Sequence, residues 1–168
     1  MNKKSLILHY NSNQMKKILF TILLSISIIS ITKAQTSINT NQSLDKRDNW
    51  TQKDLIEPAA LVAILSNPKA KQPLIYNIGV VENIKGAKNL GAASEKENLE
   101  RLRKTLSGLP KTSSIVVYCG CCPFSRCPNI RPAVAMLKSM GFTNGKLLNI
   151  PTNVKKDWID KGYPLAGK

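Results

Sequence analysis

The 168-residue sequence has a single histidine, His9, and no cysteine outside residues 119 to 127. Aromatic residues are few, at 5% of the chain, and no internal repeat is evident. His9 precedes a segment, residues 15 to 35, reading MKKILFTILLSISIISITKAQ. Lys16 and Lys17 form a basic start, Ile18 to Ile31 an apolar run of about fourteen residues, and Thr32-Lys33-Ala34 a small-residue exit, which is the pattern of a signal peptide. That run is shorter than the roughly 20 residues a bilayer-spanning helix needs, so no stable membrane anchor is expected, and anchoring through an uncleaved signal is the alternative. Residues 1 to 14 read as an overlong start. The expected product is exported, with the periplasm as its compartment, and begins at Gln35. It lacks histidine, which excludes imidazole acid–base chemistry and histidine metal ligands.

Acidic residues are also scarce. The whole chain carries 25 Lys and Arg against 10 Asp and Glu. Residues 1 to 34 hold five of the lysines and none of the acids, so the remainder keeps a formal charge of about +10. Its basic residues are dispersed among acids and poor in aromatic neighbours, and no dense Lys/Arg tract marks a nucleic-acid groove; nucleic acid is not an expected partner.

From Gln35 onward the chain is long enough for one core. Residues 35 to 49 are polar and aperiodic, a flexible lead-in, and residues 50 to 168 form the expected domain. Pro58 opens a short helix in IEPAALVAIL, and LIYNIGV (74 to 80) reads as a strand. A brief strand is expected at 87 to 90. Ser94 and Glu97 have capping-box spacing ahead of Leu99, Leu102 and Leu106. SIVVY (114 to 118) is continuously apolar, as a central parallel strand buried on both faces should be. A helix is expected to begin near Pro128 and to end at Gly141, a strand at 145 to 150, and a last short helix around Trp158. Short strands alternating with helices imply an α/β fold, a small doubly wound, mostly parallel sheet flanked by helices.

All four cysteines lie in CGCCPFSRCPNIRPA, between the buried strand and the amino end of the next helix. Bonds within so tight a cluster would close only tiny loops, so a disulfide scaffold is not expected and the thiols are free for local chemistry. Cys119 is the best placed, fixed by the strand end, and a helix amino terminus together with Arg126 and Arg131 would favour its thiolate. Gly120 lets the backbone turn so that following N–H groups can cradle an anion.

The segments IEPAALVAIL, PLIYNIG, NIKGAKNL, IVVYCG, AVAMLKSMGF and DWIDKGYPL, in that order, resemble the single-domain rhodanese-like, or sulfurtransferase-like, family. The resemblance implies a small doubly wound sheet and a Cys119 that carries a persulfide from a small anionic sulfur donor, such as thiosulfate, to a thiol acceptor or reductant. It also implies an anion cradle at Gly120, Cys121, Phe124 and Ser125, with Arg126 as the first choice of anion-contacting residue and Arg131 as the second. Cys122 or Cys127 would resolve the persulfide, releasing sulfide and leaving a disulfide. This chain departs from the family pattern in having Asn77 in place of an aspartate, Asn83 in place of a histidine, and a loop about five residues longer than usual, enlarged by Cys121, Cys122 and Cys127.

No cofactor is expected. Three other readings use the same residues: a dithiol redox relay, for which Cys119 and Cys122 have C-x-x-C separation; a soft-metal site; and a noncatalytic binding domain. Against the metal, C-x-C-C-x4-C differs from paired zinc knuckles, and adjacent Cys121 and Cys122 are expected to point apart.

Overall fold

The computed structural model describes residues 48–167. The expected signal peptide and nearly all of the lead-in lie outside the described residues. Within them the chain forms a small α/β fold: β1 (Leu55–Ile56), α1 (Pro58–Ser66), β2 (Leu74–Asn77), β3 (Ala87–Asn89), α2 (Lys96–Ser107), β4 (Ile115–Tyr118), α3 (Ile130–Ser139), β5 (Gly145–Leu148) and α4 (Val154–Asp157). Among the described residues these five strands pair in parallel, in the order β1-β5-β4-β2-β3, and Ile84 and Leu165 add one isolated antiparallel bridge. Among the described residues no helix is long and apolar enough to cross a membrane.

β4 occupies the centre, paired with β2 on one side and β5 on the other, and all four of its residues are buried. Its uninterrupted apolar run is the signature of a strand covered on both faces. β1 was not foreseen as a strand. Its two residues, Leu55 and Ile56, pair with Leu147 and Leu148 but are too few to show a period of two, and they run directly into the Pro58 helix.

Two helix starts fall later than the residue pattern suggests. α2 begins at Lys96 behind Glu95, and the capping box expected at Ser94 and Glu97 does not form; the Ser94 amide instead donates to Asn129 Oδ1 at 2.9 Å. α3 begins at Ile130, because Phe124–Arg126 forms its own 3₁₀ turn and Pro128 and Asn129 make the bend between the two. Pro132 thereby lies in the first turn of α3, where its missing N–H leaves no helical carbonyl unpaired.

The carboxyl end of β4 is pinned from both sides. Tyr118 is fully buried, and its hydroxyl accepts from Ile84 N and donates to Glu82 O, both at 3.0 Å. Gly120, at φ +75°, accepts through its carbonyl from Val154 N at 2.8 Å, so α4 closes onto the start of the cysteine loop. A β-carbon at Gly120 would meet the Val154 backbone nitrogen at 2.9 Å as well as adopt a left-handed conformation.

Gly120→Ala is therefore expected to destabilise the domain by about 1–3 kcal/mol, read as a lower urea midpoint with an unchanged slope.

Candidate functional site

The sheet delivers Cys119 to the carboxyl end of its central strand, the usual location of sites in open α/β folds. The residue is only 2% exposed. Gly79, just beyond β2, leaves the room its sulfur occupies: a β-carbon there would stand 2.5 Å from Cys119 Sγ. Asn77 holds this glycine in place. Fully buried, it accepts from Gly79 N at 3.0 Å through Oδ1, and its Nδ2 donates to Val81 O at 2.7 Å and to Asn83 Oδ1 at 3.0 Å.

Around Cys119 the loop folds back so that three sulfurs converge. Cys119, Cys121 and Cys127 have their Sγ atoms all within 4.8 Å of one another; Cys119 to Cys121 is 3.1 Å and Cys121 to Cys127 is 4.0 Å. Cys121 and Cys122 do not point apart: their sulfurs are 3.4 Å from each other, because both sit in a bend and not in extended backbone. All four cysteines are free thiols. Cys119 and Cys127 are buried, Cys121 is exposed and Cys122 is half-buried.

Asn129 completes the group. It stands at the N-cap position of α3, but its side chain makes no cap hydrogen bond and is turned toward the sulfurs. Nδ2 donates to Cys119 Sγ at 3.3 Å and lies 3.8 Å from Cys121 Sγ, while Oδ1 is occupied by the Ser94 amide. With its oxygen so engaged, the amide can only donate to the thiols.

The electrostatic result is a single preferred anion. The Cys127 thiol beside it lowers the Cys119 pKa to about 5, against burial, with further help from the Cys121 backbone N–H, the Asn129 amide and the Cys121 thiol. Cys127 is pushed up, first by its hydrogen bond with Cys119 and then by burial. Burial and the neighbouring Cys119 and Cys122 thiols push Cys121 up to about 12. Near neutral pH these shifts favour a thiolate at Cys119 with two protonated thiols beside it. Such a cluster is capable of coordinating a metal or of thiol-based redox chemistry.

The other sequence-derived residues are distributed unevenly about this centre. Gly120 is buried beside Cys119, and Phe124 is buried against Trp50, edge to face at a centroid separation of 5.8 Å. Ser125 and Arg126 are exposed on the 3₁₀ turn. Arg131 is engaged elsewhere: its guanidinium pairs with Asp48 Oδ1 at 2.7 Å, donates to Cys127 O at 3.4 Å and lies over the Trp50 ring. Gly79 and Asn129 were not singled out in the sequence. Asn129 had a readable signal, since Asn ahead of an apolar-periodic run is a favoured helix N-cap; Gly79 had none, because its role depends on a neighbour from another strand.

The depressed Cys119 pKa fixes the sign of one contribution to stability. The folded state binds this proton more weakly than the unfolded chain, so the contribution is complete above about 9 and is lost as pH falls toward 5. Wild-type protein is expected to lose stability across that window relative to Cys119→Ser. Titrating thiolate ultraviolet absorbance should give a midpoint near 5 for wild type and a higher one for Asn129→Ala, with no shift in the latter excluding the amide as a thiolate donor. Comparison with protein-family models, curated proteins and solved structures returns no match for this chain.

Proposed function

We propose that this domain is a rhodanese-like sulfur carrier in which the Cys119 thiolate takes a sulfane sulfur from a small anionic donor. The observation that carries the reading is the buried Cys119 sulfur at the end of β4, with Asn129 Nδ2, the Cys121 N–H and two neighbouring thiols directed at it. These donors match what a persulfide requires: a low-pKa nucleophile to accept the sulfur and a polar surround for its charge. With thiosulfate, Cys119 Sγ attacks the sulfane sulfur, a new S–S bond forms, and sulfite leaves with the electron pair of the bond that breaks. Among the described residues no hydrogen bond occupies the backbone amides of Gly120, Cys122 and Ser125, which supports a role for this backbone in holding the donor anion. Among the described residues exposed Arg126 makes no ion pair, whereas Arg131 is paired with Asp48. The leader-like residues 1 to 34 extend the proposal to an exported protein.

A specific observation also favours a second reading, a soft-metal site. Sulfurs around a tetrahedral zinc at Zn–S distances near 2.3 Å stand about 3.8 Å apart. The Cys121 sulfur stands 3.1 Å from that of Cys119 and 4.0 Å from that of Cys127, distances that bracket this value, and the three lie within 4.8 Å of one another.

Intact-mass measurement of the reduced protein after exposure to thiosulfate, with elemental analysis of the same sample, separates the two. Sulfur transfer requires a gain of one sulfur atom in wild type and none in Cys119→Ser. Equal gains in both proteins would remove Cys119 from the reaction, and a stoichiometric metal with no sulfur gain would favour the ligand cluster.

A further inference from the structure

We propose that Cys121 is the sulfur outlet of the domain: the sulfane sulfur is taken up on buried Cys119 and handed to exposed Cys121, from which a thiol-bearing acceptor collects it. The inference rests on the sulfur-carrier reading above and adds a second covalent station to it.

Geometry supports the transfer. Cys121 Sγ is 3.1 Å from Cys119 Sγ, so a sulfur atom bound to Cys119 lies within bonding reach of Cys121 with little movement of the loop. Burial supports the direction. Cys119 is 2% exposed, with Gly79 and Asn129 against its sulfur, whereas Cys121 is exposed. Cys127 is the other thiol close to Cys119, but it is buried and cannot present sulfur to a macromolecule.

The chemistry runs the same way. The Cys121 thiol gives its proton to the terminal sulfur of the Cys119 persulfide anion, and the resulting Cys121 thiolate attacks that sulfur. The new Cys121–S bond forms as the bond to Cys119 breaks, and Cys119 departs as a thiolate. The products are a Cys121 persulfide and the starting Cys119 anion, with atoms and charge conserved and no oxidant required. Accessibility sets the direction of net flow, because a bulky acceptor draws sulfur from exposed Cys121 and not from buried Cys119. An acceptor thiolate then takes the outer sulfur and leaves Cys121 to recover its proton. The acceptor class is a thiol too bulky to reach Cys119, either on a protein or in a thiol-containing peptide.

The test uses the full chain. Reduced wild type, Cys119→Ser and Cys121→Ser are charged with thiosulfate and quenched by alkylation, and the added sulfur is located by fragmenting the loop peptide. The rate of sulfur transfer to reduced glutathione is measured in parallel. The expected result is sulfur reaching Cys121 in wild type, on neither residue in Cys119→Ser, and trapped on Cys119 in Cys121→Ser, with transfer to glutathione slowed at least tenfold in the last variant. Sulfur found on Cys119 alone in wild type, with transfer unaffected by Cys121→Ser, overturns the outlet and leaves the Cys119 carrier intact. Absence of sulfur from every cysteine of wild type overturns both.

Discussion

The close approach of Gly79 to the Cys119 sulfur is the constraint on which the rest of the site depends. Two neighbouring parallel strands bring their carboxyl ends to the same place, and the residue beyond β2 must have no side chain if the residue beyond β4 is to have one. Asn77 fixes the glycine, and Tyr118 fixes the strand from which the cysteine emerges. The site so made is buried, with Asn129 at the start of α3 against the sulfur. In it an isolated thiolate would be strongly disfavoured. Its presence follows from the donors that surround it, the nearest being other thiols.

A cluster of thiols that stabilises one anion differs from a set of equivalent cysteines. Each neighbour that donates to Cys119 becomes harder to deprotonate, so charge at one sulfur suppresses charge at the others. The thiolate is thus selected by position in the network and not by its own chemistry. A divalent soft metal reverses this logic, because it favours deprotonation of every ligand at once. Cys119, Cys121 and Cys127 are capable of either, so what binds them distinguishes the two proposed roles.

Much of the architecture was legible because it rests on burial. The continuous apolar run of Ile115 to Tyr118 announced a central strand, and Pro58, Gly141 and Gly162 marked helix boundaries through their backbone preferences. β1 escaped notice because two residues carry no period. The position of Cys119 was legible too, since it follows directly from the strand. Its partners were only half so. Arg126 and Arg131 suggested themselves by charge, but Arg131 is committed to Asp48 and Trp50, and a neutral side chain, Asn129, makes the contact with the sulfur. Seeing this required knowing that the Ser94 amide takes the asparagine oxygen, a pairing across 35 residues that no local pattern encodes.

Tyr118 has a further consequence. Burial first, with nearby negative charge adding to it, raises its hydroxyl pKa to about 12, so the phenol stays neutral while the adjoining cysteine passes from thiol to thiolate. Its bonds to Ile84 and Glu82 therefore persist through every protonation state that the sulfur visits below strongly alkaline pH. The molecule separates what titrates from what supports it by a single peptide bond. Charge on the sulfur can turn over repeatedly while the hinge between β4 and its loop keeps one shape, and the geometry seen by each incoming reagent is the same as that seen by the last.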